Sequence, residues 1–442
     1  MYEELIQLAG ALVKELAESI DDHTVSLMDA EKKIVEYLNK LGGMMIESIV
    51  QSAAEPTQEN RVMVEGKVAI FDKKRALTFK SRFGNQVRRM RRCYRVEGEF
   101  GGYAPLDEKL GVMSRRGYSP LMVYLMSAFG GSAAFAVEAK KMSEVIGFPV
   151  SSTALQWNTE RTGERIPENP IEAIEEKEES TPCDMMVVEI DGTMSPQIME
   201  IPGKTGRESL KNGTEYKECN VVVIEKHKKG ELSNRWYGAL YGPRKLFDCY
   251  VHRSALKMGQ LKAEKVVFIA DGAHSNWEIQ SNNFPEAIAI LDFYHATEHL
   301  AEFCSLLANQ ERAKALLIKW RHMLLEGDNL QVIEELKETL YDISKKDAAW
   351  TQINYFENNK HRMAYDEYRA NGYPIGSGLV EGACKHVVCR RFKGSGMRWK
   401  KQDNASVLRV RLAIINETLS NYFRPRPRKF SIYLSRQEGA AA

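Results

Sequence analysis

The first fifty residues carry apolar side chains at intervals of three or four, the spacing of one face of a helix. These positions are Leu5, Leu8, Leu12 and Leu16, followed by Ile34, Leu38 and Leu41. The pattern predicts two N-terminal helices within residues 1–50, joined between Asp21 and Thr24. Residues 51–60 are polar and are predicted to form a linker.

Two different patterns follow. Residues 61–112 contain short β-like runs broken by glycine, which predicts a small β-rich module. Residues 118–166 return to helical periodicity, with a break at 147–149 and an N-cap signal at Ser151. A helix, a break and a second helix at this spacing predict either a DNA-reading helix-turn-helix or an ordinary helical hairpin. In the first case the residues in the DNA groove would be Gln156, Trp157, Asn158, Thr159 and Arg161. Both alternatives stay open from the sequence.

The rest of the chain reads as an α/β domain interrupted by helices. Five apolar, strand-like runs cover residues 185–190, 219–224, 236–240, 266–270 and 287–291, and three of them are followed at once by an aspartate. Residues 298–372 are helical in pattern, and a last helix is predicted after Gly378. We therefore expect one core built from residues 184–297 and 373–416, with a helical insertion at 298–372. The acidic stretch before residue 184 is predicted to be a solvated linker.

Composition narrows the class of protein. Hydrophobic residues make up 43% and charged residues 28% of 442, the balance of a soluble globular protein. No stretch is long and apolar enough for a membrane span, and the N-terminus lacks the pattern of a secretory signal, so a cytoplasmic, nucleoid-associated protein is expected. The seven cysteines include no Cys-x-x-Cys pair, which excludes an evident disulfide framework or zinc site.

The small net charge of +2 conceals two basic blocks. Cations that bind DNA phosphates would make affinity fall with salt, whereas the alternative is a solvated charged face. The candidate DNA-binding residues are Arg88, Arg89, Arg91 and Arg92 in the first block, and Lys385, Arg390, Arg391, Lys393 and Arg398 in the second. Trp399, beside the second block, is interpreted as a packed edge residue rather than a base-stacking one.

Three acids are candidates for a metal site. Asp191 and Asp271 follow apolar runs, and each precedes a glycine that would leave room for a substrate backbone. Glu381 is predicted in the first turn of the last helix. Clustered carboxylates repel one another unless a cation neutralises them, and oxygen ligands suit Mg²⁺. The alternatives are plain Asp-Gly turns and, for Glu381, favourable interaction with the helix dipole.

Longer motifs resemble one known family. They are DGT at 191–193, DGA at 271–273, DFYH at 292–295, YPIGSGLVEG at 373–382 and KGSGMRW at 393–399, with a weaker match, PLDEKLG, at 105–111. Together they are similar to bacterial insertion-sequence transposases of the ISKra/ISLre type, which are distantly Mutator-like. The resemblance runs from about residue 184 to residue 416.

This resemblance implies a ribonuclease-H-like catalytic fold with Asp191, Asp271 and Glu381 as a triad that holds Mg²⁺, for which Mn²⁺ can substitute. It implies cleavage at terminal inverted repeats of double-stranded DNA and strand transfer into a target. We also expect a homo-oligomer. Relatives often carry cysteine pairs of a zinc ribbon in the N-terminal module, but only Cys93 lies there, so the module is expected to fold without zinc.

Asp292 competes with Asp271 for the second place in the triad. Asp271 has glycine after it, as Asp191 does, whereas Phe293 and Tyr294 would crowd a DNA strand. Asp292 and His295 are therefore predicted to hold neighbouring groups of the site in position without binding the metal themselves. Two rival functions remain: an inactive, co-opted DNA-binding protein, and a nuclease of the same fold without strand transfer.

Overall fold

The computed structural model describes residues 2–20, 26–112, 117–169, 171, 182–200, 210–394, 397–424 and 428–432. The predicted helix junction at 21–24, most of the acidic linker and the central Ser-Gly of the KGSGMRW motif lie outside these residues. The chain forms two compact units. The first contains residues 1–165 and 419–442, and the second contains residues 166–418.

The helices of the first unit follow the apolar spacing of the sequence. They are α1 (Tyr2–Ile20), α2 (Leu27–Ser52), α3 (Pro105–Lys109), α4 (Pro120–Gly130), α5 (Phe135–Ile146) and α6 (Ser152–Gly163). The Ser26 side chain caps α2 and that of Ser151 caps α6, by accepting a backbone N–H of the first turn. Gly147 ends α5 at a φ of 81°, a conformation that glycine adopts without strain.

The first unit also contains a five-stranded antiparallel sheet. Its strands are β1 (Arg61–Val64), β2 (Lys67–Lys80), β3 (Gln86–Val96), β4 (Gly102–Tyr103) and, from the far end of the chain, β10 (Phe430–Ile432). The order is β10-β1-β2-β3-β4. Val62, Val64, Ala69, Tyr94 and Val96 form the apolar core of this sheet. Cys93 is a buried free thiol, so the module is held by packing at this point.

The second unit is built on a mixed five-stranded sheet. Its strands are β5 (Cys183–Glu200), β6 (Leu210–Lys228), β7 (Glu231–Leu240), β8 (Ala263–Ala270) and β9 (Ile288–Leu291). The order is β7-β6-β5-β8-β9, with β5, β6 and β7 antiparallel and β8 and β9 parallel to β5. All five apolar runs of the sequence lie in these strands, which gives a mixed α/β architecture.

One boundary differs from the sequence-based expectation. We expected the first strand of this sheet to stop at Asp191, but β5 continues to Glu200. The reason is its partner: β6 pairs with β5 along nearly its whole length, while the parallel pairing with β8 ends at Glu189. Asp191 therefore lies inside a strand, at the point where the neighbouring strand β8 ends.

Helices surround this sheet and fill the predicted insertion. They are α7 (Arg244–Lys257), α8 (His274–Asn283), α9 (Phe293–Ser305), α10 (Gln310–Leu325), α11 (Asn329–Thr339), α12 (Lys346–Asn359), α13 (Tyr365–Ala370), α14 (Gly378–Ala383), α15 (Arg390–Phe392) and α16 (Lys401–Ile415). A wider, π-type turn, Cys384–Cys389, connects α14 with α15. Phe303, Trp320, Ile333 and Phe356 bring the insertion into the same apolar core as the strands. In the part of the chain that the structure describes, no helix could cross a membrane.

Candidate functional site

Three aspartates lie level with one another at one end of the second unit's sheet. The parallel registers of β5, β8 and β9 place Asp191, Asp271 and Asp292 at the same height on three neighbouring strands. Asp271 and Asp292 directly follow β8 and β9, whereas Asp191 lies inside β5, two residues after the pairing with β8 ends.

Glu381 reaches the same place from α14. One ligand atom from each of Asp292, His295 and Glu381 lies within 4.8 Å of the other two. Among the described residues, the predicted set of Asp191, Asp271 and Glu381 does not form a group this close. Asp271 is close enough to help raise the pKa of Asp191, and both aspartates raise the pKa of His295. All five residues thus contribute to one electrostatic cluster.

Asp292 is fully occupied by protein donors. Its Oδ1 accepts the N–H groups of Tyr294 (2.6 Å) and His295 (3.0 Å), which caps α9. Its Oδ2 accepts the Ser377 N–H at 2.6 Å and also the Ser377 hydroxyl, and lies 3.5 Å from His295 Nδ1. The side chain is 0% exposed. This carboxylate therefore ties α9 to the loop ahead of α14.

Among the described residues, Asp191, Asp271 and Glu381 receive fewer protein donors than Asp292 does. Asp271 Oδ1 accepts from Ala273 N and Asn276 Nδ2, but among the described residues its Oδ2 has no hydrogen bond. Asp191 Oδ1 accepts only the adjacent Gly192 N–H, and its Oδ2 meets the weak thiol donor of Cys384 at 3.5 Å. Glu381 is half-buried, with Lys385 Nζ 3.5 Å from Oε2.

The cluster places negative charges together in a partly desolvated site. Burial, assisted by the charge of Asp271, raises the pKa of Asp191. The hydrogen bond to Asp292 and the charges of Asp271 and Asp191 raise the pKa of His295 to about 9. His295 is therefore an imidazolium at neutral pH and supplies one positive charge to the acids.

Glu189 also lies at this site, although it is not among the residues predicted from the sequence. This residue is 1% exposed, and its Oε2 accepts the Val380 N–H of α14 at 3.0 Å. Burial raises its pKa to about 8. The available signal was a carboxylate inside an otherwise apolar run, two residues before Asp191 and therefore on the same face of the strand.

The two glycines that follow the aspartates serve a different purpose from the one predicted. A Cβ atom on Gly272 would overlap the ring of Tyr355, which comes from α12 of the insertion, and one on Gly192 would overlap the Glu218 carboxylate. These positions are glycine because neighbouring side chains of the same chain fill the space. The Tyr355 ring stacks on His299, with centroids 3.6 Å apart.

The second basic block divides into exposed and buried cations. Lys385, Arg390, Lys393 and Arg398 are exposed, and Lys393 Nζ donates to the Thr193 hydroxyl at 2.7 Å, two residues from Asp191. The DNA contact predicted for Arg391 must be corrected. Its side chain is 0% exposed and packs on Phe392 and Trp399, as a core residue. Trp399 is 6% exposed, in agreement with a packed role.

The first basic block needs a larger correction, because most of its arginines hold the fold together. Arg91 is buried in a two-pronged pair with Asp107, at 2.7 and 2.8 Å. Arg92 lies over the Phe71 ring at 3.9 Å and bonds Asn60. Arg89 donates to the backbone oxygens of Val50 and Gln51 at the end of α2. Of the four, Arg88 is the one whose side chain is exposed.

The helix-break-helix segment is present as α5 and α6, but its predicted reading face is partly buried. Asn158 and Thr159 are 0% exposed. Trp157 is exposed, and Arg161 lies over its ring at 5.4 Å. Two of the residues expected to face a DNA groove therefore pack inward.

Comparisons with known proteins add little to this geometry. No protein-family model and no curated protein matches the chain. Among solved structures, the Drosophila P element transposase strand transfer complex matches with 10% sequence identity and a TM-score of 0.37, over 67% of this chain and 92% of that one. At that TM-score the chemistry has to be argued from this chain's own residues.

Proposed function

We propose that the chain is a DNA transposase that cuts double-stranded DNA at terminal inverted repeats and joins the freed 3′ ends to a target. One observation carries the proposal. Asp191 and Asp271 lie level with one another beside two neighbouring parallel strands, Glu381 lies near Asp292 and His295, and protein donors occupy Asp292 more fully than Asp191 or Asp271. We further propose that the mixed sheet, in the order β7-β6-β5-β8-β9, is a ribonuclease-H-like core.

The donor set fits Mg²⁺ or Mn²⁺. It consists of carboxylate oxygens, the ligands that these hard cations prefer, and burial already disfavours leaving Asp191 charged and unpaired. Asp191, Asp271 and Glu381 would hold the metal. Bound there, two ions would supply positive charge to the attacking and the leaving oxygen of an in-line phosphodiester displacement.

The remaining residues of the site have roles that follow from their contacts. Asp292 fixes α9 and the loop before α14, and Glu189 fixes α14 itself, so that both position Glu381. Lys385, Arg390, Lys393 and Arg398 offer exposed charge to DNA phosphates. In the proposed reaction, water attacks phosphorus and the bond to the 3′ oxygen breaks. The freed 3′-hydroxyl then attacks a target phosphodiester and expels a 3′-hydroxyl there.

The test separates chemistry from binding. Glu381→Gln and Asp271→Asn each remove a negative charge from a proposed ligand, so we expect no detectable cleavage of labelled element ends in Mg²⁺ or Mn²⁺. Binding of those ends, measured by gel shift, should stay close to that of the unchanged protein. Asp292→Asn should retain cleavage that is about 10–100-fold slower, as is typical when a supporting group is lost.

The alternatives give different results. A co-opted DNA-binding protein would bind ends and leave them uncut in every variant. A nuclease without strand transfer would cut ends but yield no joined product with target DNA. Full activity in Asp271→Asn beside a dead Asp292→Asn would reassign the second ligand to Asp292.

A further inference from the structure

Tyr294 lies between Asp292 and His295, two residues of the candidate site. It is the second residue of α9, and its N–H donates to Asp292 Oδ1 at 2.6 Å. The next residue is His295. The hydrogen bond to Asp292 and the peptide bond to His295 therefore fix the position of the Tyr294 Cα relative to these two residues.

The orientation of the Tyr294 ring is fixed by the loop ahead of α14. A Cβ on Gly376 would lie 2.5 Å from Tyr294 Cε2, so the ring rests directly on the glycine backbone. That backbone is held on both sides, because Ile375 O accepts the Phe293 N–H at 2.9 Å and Asp292 binds Ser377. The glycine required at position 376 makes room for this ring.

About half of the Tyr294 side chain remains accessible to solvent. Tyr294 is 52% exposed, as expected for an aromatic side chain with one face covered and one in solvent. Its neighbour Phe293 is buried and packs in turn on the buried ring of Tyr365. Among the described residues the Tyr294 hydroxyl makes no hydrogen bond, so no polar contact accounts for the position of the ring.

We propose that Tyr294 is a stacking platform for one unpaired nucleobase beside the scissile phosphate. This inference rests on the proposed function and names the form of DNA that the site takes. A base inside a duplex already stacks on its neighbours, so an exposed ring at this place can receive only a base that has left the helix. Stacking on an aromatic side chain contributes about 1–3 kcal/mol per base and does not depend on which base it is. Extrusion of a base from the helix costs a few kcal/mol, and the free energy of stacking on Tyr294 would offset a cost of that size.

The test uses the full chain and two probes of the same sequence. One is a DNA duplex with a single unpaired 2-aminopurine at its centre, and the other is the fully paired duplex. Tyr294→Ala should weaken binding of the unpaired probe about 5–150-fold, the equivalent of 1–3 kcal/mol, and leave the paired probe unchanged. The quenching of 2-aminopurine fluorescence by the protein should be lost together with this affinity.

Conservative variants and a matched control complete the design. Tyr294→Phe and Tyr294→Trp keep a π face and should keep both affinity and quenching. Tyr341→Ala, on an 83% exposed tyrosine of the insertion, should behave like the unchanged protein. Unpaired-probe binding that is unaffected by Tyr294→Ala, or quenching lost in Tyr294→Phe, would overturn the proposal.

The outcomes also separate this inference from the proposed function. If the protein cleaves element ends but Tyr294→Ala does not change its binding of either probe, only the stacking role of Tyr294 is contradicted. A chain that binds neither probe would overturn both. Tyr294-dependent quenching in a protein that never cuts would support the platform and contradict the transposase.

Discussion

Asp271 and Asp292 show how two aspartates at equivalent positions come to differ. Each directly follows an apolar strand, and the sequence alone cannot say which one is free. The difference arises from donors that are distant in sequence: Ser377 lies 85 residues beyond Asp292 and binds it through both N–H and O–H. Among the described residues Asp271 receives only the local donors Ala273 and Asn276, both at Oδ1. The sequence favours Asp271 because a glycine follows it, as one follows Asp191. In the structure Gly272 is required for a different reason, because a side chain there would overlap the Tyr355 ring.

The pairing of His295 with Asp292 leads to a prediction about pH. In metal-free protein the His295 pKa should lie near 9, and Asp292→Asn should lower it toward 6.5. The folded value is raised, so the pair contributes its full stability below pH 6.5 and loses it as the pH rises through about 9. Histidine NMR titration would measure the pKa, and urea unfolding at several pH values would measure the stability.

His361 serves as an internal control for that titration. Its pKa is lowered by burial, and it lies outside the acid cluster, so Asp292→Asn should leave it unchanged. A His295 titration that does not respond to Asp292→Asn would mean that the 3.5 Å pair is absent in solution.

The arginines of the first basic block show that the burial of a single charged residue could not be predicted from the sequence. Arg88, Arg89, Arg91 and Arg92 are alike in sequence, and a basic run was read as one surface. Alternation along β3 places neighbours on opposite faces, and Asp107, sixteen residues away, then buries Arg91. Charge counting cannot predict such a partner. The buried Arg391 is misread for the same reason.

At the scale of elements, α14 depends on a buried carboxyl that belongs to another element. Oε2 of Glu189, on β5, accepts the Val380 N–H, one of the first-turn donors that a helix leaves unpaired. With a pKa of about 8, Glu189 is mostly neutral at pH 7 and holds the helix as an uncharged acceptor.

Glu189→Gln should therefore preserve both stability and cleavage, because its amide oxygen can still accept from Val380. Glu189→Leu leaves that N–H buried and unpaired, and should cost about 1–3 kcal/mol in free energy of unfolding. Cleavage should fall further than stability explains, since Glu381 moves with the helix. Urea unfolding and end-cleavage rates of the two variants would check this, and equal behaviour of the Gln and Leu variants would contradict the role.

Strand and helix identity was largely predictable from periodicity, but strand length was not. The five apolar runs of the second unit each lie in a strand because burial demands such runs. β5 extends past Asp191 because β6 continues beside it, and the polar residues of that extension carry no periodic signal. The wide turn at Cys384–Cys389 likewise has no sequence signature that we could read.

At the scale of the whole molecule, the division of cations into exposed and buried ones predicts how DNA affinity depends on salt. Arg88→Ala should reduce the slope of log affinity against log salt by about 0.9, the value for one phosphate contact. Arg91→Lys should leave the slope unchanged but lower the free energy of unfolding, because lysine cannot reproduce the two-pronged pair with Asp107. Fluorescence anisotropy over a salt series and urea unfolding would measure the two effects. A slope that responds to Arg91→Lys and not to Arg88→Ala would contradict the assignment.

The strand β10 has a consequence for how the chain is made. Its residues pair with β1, Val62 against Ile432, although some 370 positions separate them. A ribosome adds roughly 5–20 residues per second, so tens of seconds pass between the synthesis of β1 and that of β10. During this interval residues 166–418 are synthesised and can fold. During that interval the N-terminal sheet presents an unpaired edge, the kind of surface that invites pairing with another nascent chain. Growing polypeptides on one messenger RNA are therefore exposed to one another through β1 until residues 430–432 have been synthesised.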